Sequence, residues 1–165
     1  MKNSIKLLFS AVIAVMLVTS CSKEDENDVP DYSEKNVSIV LSYGGDYEAF
    51  DEILGIQITG SDVSNTDVEG VNWDEEMRTD KLAAQFTRTG DINGSAMLRT
   101  SKPISSCTLM ASFMPKDNQE DLDPVTVNIQ YYIEDELVDS ENYVFKNNTD
   151  SYQKVFLVQD HLDKL

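Results

Sequence analysis

Two runs of the chain keep a strict period of two. Cys107, Leu109, Ala111 and Phe113 share one face of the first run, and Val125, Val127, Ile129, Tyr131 and Ile133 share one face of the second. Side chains alternate across a strand but recur every ~3.6 residues on a helix, so these runs present one apolar face only as β-strands. Such faces must be covered by another layer.

The same period recurs along the chain between turn residues. Val37, Ile39, Leu41 and Tyr43 alternate before Gly44-Gly45-Asp46, and Leu54, Ile56 and Ile58 alternate before Gly60. Leu82, Ala84 and Phe86, the turn Gly90 to Gly94, then Ala96 and Leu98 read as a hairpin. Glu134-Asp135-Glu136 turns into Val138 to Phe145, and Asn147 to Asp150 turns into Tyr152 to Val158. No helix of ordinary length is predicted. About seven or eight short strands bounded by turns predict an all-β fold, an antiparallel β-sandwich over 36–165. The architecture resembles immunoglobulin-like or fibronectin-like modules in class alone, without their paired cysteines around a tryptophan.

The first 35 residues follow other rules. Lys2 and Lys6 precede an apolar run from Leu7 to Val18, and Thr19-Ser20 follow it, which predicts a signal peptide over 1–20. The run is shorter than the ~20 residues of a spanning helix. Val18-Thr19-Ser20-Cys21 resembles a bacterial lipobox, and the resemblance implies cleavage before Cys21 and lipidation of its thiol. Ser22-Lys23-Glu24-Asp25-Glu26 is similar to the acidic export signal of Bacteroidota-type surface lipoproteins. That similarity implies an outer-membrane lipoprotein facing the cell exterior, with the periplasmic face as the alternative. Residues 21–35, rich in acids and lacking an apolar pattern, form the expected tether.

Charge excludes several partners. Residues 1–20 carry Lys2, Lys6 and no acid, so their removal takes the net charge from −17 to −19. Nucleic acid is a poor partner for such a chain. Anionic head groups repel it too, which leaves membrane attachment to the lipid. A protein with a basic surface is the expected partner, drawn by long-range attraction. With Cys21 lipidated, Cys107 has no partner in the chain and is expected to be a buried free thiol.

Catalytic chemistry lacks its usual residues. His161 is the only histidine, four residues from the C-terminus, and reads as part of a solvated tail. No nucleophile elbow, zinc-ligand set or glycine-rich phosphate loop accompanies it. No catalytic residue and no cofactor is therefore assigned. Asp117, Asp121 and Asp123 offer oxygen ligands suited to calcium, although Leu122 and Asn128 break the EF-hand pattern and a solvated loop is the plainer reading. Trp73, the only tryptophan, suits core packing or a recognition platform, and Asn128, Gln130 and Tyr132 face away from the core where a ligand could meet them.

These features predict a lipid-anchored, non-catalytic binding or assembly module that recognises another protein at the cell surface. The alternative is a carbohydrate-binding accessory lipoprotein of a surface glycan-uptake system. A small secreted hydrolase comes third.

Overall fold

The computed structural model describes residues 33–116, 122–146 and 149–165. Ten strands run in chain order: β1 (Val37–Gly44), β2 (Phe50–Thr59), β3 (Val68–Glu69), β4 (Glu75–Arg78), β5 (Ala83–Asp91), β6 (Ser95–Thr100), β7 (Ser106–Pro115), β8 (Val125–Ile133), β9 (Glu136–Phe145) and β10 (Ser151–Leu157). They form two five-stranded sheets, ordered β3-β6-β1-β8-β9 and β10-β7-β2-β5-β4, and every pairing is antiparallel. The fold is an all-β sandwich. Two strands beyond the expected number are β3 and β4, short pieces of the acidic stretch between Asp62 and Glu76 that carry little alternation.

Inward positions from both sheets make the core. Ile39, Leu41, Ile129 and Tyr131 from the first sheet meet Leu54, Ile56, Phe86 and Leu109 from the second, all buried. Each fully buried side chain of this size contributes roughly 1.5–3 kcal/mol relative to exposure. Cys107 lies among them as a free, buried thiol, and burial pushes its pKa up to about 12.

The predicted hairpin between Phe86 and Ala96 does not form. β5 pairs with β2 and β4, whereas β6 pairs with β1 and β3 in the opposite sheet. Ile92 explains the crossing, because it is buried in the core and a hairpin tip would leave it in water. The β8–β9 hairpin does form, with Ile133 opposite Glu136 and positive φ at Glu134 and Asp135. Two such residues define the mirror-image turn that matches strand twist.

The described residues at both borders of the domain are more ordered than a tether and a tail would be. Lys35 exchanges backbone hydrogen bonds with Ile104, and the Glu34 carboxylate accepts the Ser61 N–H, so the fold takes up residues assigned to the tether. Val158–Lys164 is a 3-10 turn pinned by buried Val158. Its His161 ring stacks on Phe156 at 4.6 Å, which corrects the solvated-tail expectation. The expected signal peptide, Cys21 and the expected tether up to residue 32 lie outside the described residues, as do Asp117 and Asp121.

Candidate functional site

At one end of the sandwich the inner layer turns polar. β2 continues its inward row Ile58, Ile56, Leu54 to Glu52, β5 continues Ala84 and Phe86 to Arg88, and β1 ends its row at Tyr43. Glu52 is 1% exposed although it is an acid. Its register partners are Gly90 on β5 and Phe113 on β7, and the Arg88 guanidinium covers the Gly90 side, with Nη2 3.9 Å from where a Gly90 Cβ would stand. Tyr43 donates its hydroxyl to Glu52 Oε1 at 2.5 Å. Burial raises the Glu52 pKa above the usual carboxylate range, opposed by the Tyr43 hydrogen bond and by Arg88. Burial, followed by the Glu52 charge, raises that of Tyr43 as well.

These groups open on a cleft of about 490 Å³, bounded also by Asn72, Asp74 and Asn93. Its wall is held in place by internal bonds. Arg88 Nη2 donates to the Asp91 carbonyl at 2.5 Å, and the Thr89 N–H donates to Asp74 Oδ2 at 2.7 Å. The Asp74 N–H returns to the Thr87 carbonyl at 2.9 Å. Gly70 has φ +111°, and a Cβ there would lie 1.6 Å from the Met97 carbonyl oxygen, so only glycine lets this segment lie against β6. Trp73 anchors the same loop: its Nε1 donates to the Val68 carbonyl at 2.6 Å and its half-buried ring meets Phe86 at 5.7 Å.

Carboxylates crowd the same end. Asp46, Glu48, Asp91 and Asp123 are exposed on its turns, with Lys116 bridging to Asp91 at 2.6 Å. Asp123 is tied to the first turn through its N–H, which donates to Asp46 Oδ2 at 2.8 Å. Among the described residues no three His, Cys, Asp or Glu side chains converge as metal ligands.

A second polar group closes one side of the sandwich, where β9 and β10 form the edges of the two sheets. Lys154 Nζ reaches Asp139 Oδ2 and Glu141 Oε1, each at 2.8 Å, and lies 4.9 Å from the centre of the Tyr131 ring. Tyr152 donates to Glu141, and its oxygen is 3.0 Å from that of Tyr131. The Lys154 hydrogen bond holds the Asp139 pKa below the usual carboxylate range. His161 belongs to this side, with Nδ1 3.1 Å from Lys164 Nζ, and burial followed by that ammonium lowers its pKa.

The residues singled out in the sequence fall in separate places. Trp73 supports the cleft from behind, with its ring toward Phe86. Asn128, Gln130 and Tyr132 lie on the outward face of β8, where Asn128 bonds Asn142 at 2.9 Å and Tyr132 donates to Gln130 at 3.0 Å. Sequence reasoning missed Tyr43, Glu52 and Arg88 as a group. The available signal was a charged residue in phase with each buried row, Glu52 two before Leu54 and Arg88 two after Phe86.

No family model matches the chain, and no curated protein matches it. Three solved structures are similar to it in fold. The calcium-bound form of a protein from Parabacteroides distasonis, solved by NMR, is 11% identical with a TM-score of 0.54, over 80% of this chain and 99% of that one. A domain of unknown function, DUF4425, from Bacteroides vulgatus is 16% identical with a TM-score of 0.49, over 76% and 96% of the two chains. A DUF4425 family protein from Bacteroides ovatus is 14% identical with a TM-score of 0.46, over 76% and 95%.

Proposed function

We propose that this protein is a non-catalytic binding module, anchored by lipid on Cys21 and displayed on the outer surface of the cell, with the cleft beside Glu52 as its recognition site. One observation carries the reading. A carboxyl and a guanidinium occupy core-facing positions of adjacent strands and open on a cleft, where apolar residues would have closed the sandwich. Polar residues that break the packing rule without closing the fold mark sites kept for a ligand.

The exposed acids at this end support a protein partner with a basic surface. Attraction between such surfaces raises the association rate and is screened beyond about 8 Å at 0.15 M salt. Capture from intact envelopes with the lipidated protein should recover the partner at about 0.05 M salt and lose most of it by about 0.5 M. Recovery indifferent to salt would overturn the assignment of this end to a basic partner. The cleft's own lining of amides and hydroxyls, Asn72, Thr89, Asn93 and Ser95, favours a second reading, the glycan-binding accessory.

The anchor has its own test: Cys21→Ala should abolish partitioning into the detergent phase. Calcium enters as a proposal too, since one fold neighbour is a calcium-bound form. Asp123, held against Asp46, would belong to its site together with Asp117 and Asp121. Millimolar calcium should then raise the melting temperature, and Asp123→Ala should cancel the rise.

A further inference from the structure

We propose that the cleft binds a neutral, hydroxyl-rich ligand, one or two sugar residues of a glycan, held against Arg88 and the amides and hydroxyls around it. The inference rests on the cleft being the recognition site and develops the glycan reading of it; a basic protein partner would meet the exposed acids around the cleft rather than enter it.

Charge narrows the choice first. The ionisable groups lining the cleft, apart from Tyr43, are Glu52, Asp74 and Arg88. Asp74 is engaged by the Thr89 N–H and Glu52 by the Tyr43 hydroxyl, while Arg88 brings a positive charge to the same wall. A cationic ligand would sit beside that guanidinium. An anionic one would enter against the field of a chain with net charge −17. A neutral ligand meets neither penalty.

The hydrogen-bonding inventory agrees. A sugar hydroxyl both donates and accepts, so adjacent hydroxyls are matched by a wall that mixes the two roles. Arg88 supplies donors only, the amides of Asn72 and Asn93 supply both, and the hydroxyls of Thr89 and Ser95 rotate to either. Apolar surface is a minor part of the wall, so recognition would rest on these hydrogen bonds. Gly70 and Ala96 leave space at the wall.

Size and rigidity complete the case. About 490 Å³ falls within the range of roughly 300–1,000 Å³ typical of small-molecule sites. The Arg88–Asp91 and Thr89–Asp74 bonds and the Trp73 anchor fix the wall before any ligand arrives, which lowers the ordering cost of binding.

The test is an NMR titration of the mature protein with maltotetraose, cellotetraose, xylotetraose and mannotetraose, beside tetralysine and tetragalacturonate as charged probes. At least one neutral tetrasaccharide should shift the amides of Asn72, Arg88, Thr89, Asn93 and Ser95 with a millimolar or tighter Kd. Arg88→Ala should weaken that binding at least tenfold. Because Arg88→Ala could disturb the wall, Ser95→Ala and Asn93→Ala serve as milder variants, each expected to weaken it severalfold at unchanged melting temperature. If tetralysine or tetragalacturonate alone shifts these amides, the sugar assignment falls while the cleft stands as the recognition site. If no probe shifts them, the sugar assignment falls, and full capture of the envelope partner by Arg88→Ala would then remove the cleft as the recognition site as well.

Discussion

The two polar groups inside this sandwich use the same chemistry to opposite ends. On the β9–β10 side, Lys154, Asp139, Glu141, Tyr131 and Tyr152 satisfy one another across the gap between the sheets. At the cleft, Tyr43 and Glu52 are bonded to each other, but Arg88, Asn72 and Asn93 look onto open space. A closed network contributes to holding the sheets together, whereas an open one leaves its groups to water or a ligand. Position in the network therefore separates the two roles better than residue type does.

The largest expected effect tests whether the cleft wall is built from behind. Trp73→Ala removes the ring from Phe86 and the bond to Val68, and should cost about 3 kcal/mol of folding stability in urea denaturation. A loss under about 1 kcal/mol would show that Trp73 is not a packing anchor.

The contrast itself is tested by a pair of truncations. Lys154→Ala leaves Asp139 and Glu141 without their cation and should destabilise by about 1–2 kcal/mol, allowing for their partial exposure. Arg88→Ala, by comparison, should change stability by about 0.5 kcal/mol or less. Equal losses from the two changes would erase the distinction between closed and open networks.

The smallest effect is one of pH. A carboxyl whose pKa is raised by folding contributes stability that is complete below its unfolded value near 4.3 and is lost as pH rises through the folded value. The stability of the protein relative to Glu52→Gln should therefore fall between about pH 4 and pH 8. Asp139 works the other way: its lowered pKa contributes stability above its unfolded value near 3.9 that is lost as pH falls. Denaturation curves of both proteins at the two pH values give the comparison, and a constant difference would mean that Glu52 titrates normally.

Much of the fold was legible because alternation is local. Val125 to Ile133 names its buried face without reference to any other strand, and all five alternating residues are in the core. Pairing is not local, so Gly90 to Gly94 looked like a hairpin tip until the burial of Ile92 carried β6 into the other sheet. The cleft was hidden for a related reason. Glu52 and Arg88 stand at the ends of buried rows, where a charge normally signals that the strand has reached water. Only the loop at Gly70, held by Trp73 and Asp74, reveals that these positions are still covered. Arg78 is equally opaque in sequence, since it bonds the carbonyls of Val63 and Thr66, more than ten residues away.

The borders of the two sheets decide how copies of the protein tolerate crowding. An unprotected border strand is a template onto which a neighbour can add its own strand, and repetition of that step builds fibres. Here β3 has two residues and β4 four, too few to seed a stable addition. The longer β9 meets β8 through a register shift at Tyr131/Tyr132, and Lys164 Nζ covers its Val138 carbonyl at 2.8 Å. β10, a seven-residue border that pairs with β7 without a register shift and exposes Val155, carries none of these devices, so copies packed side by side would be screened from strand addition on three borders and open to it on the fourth.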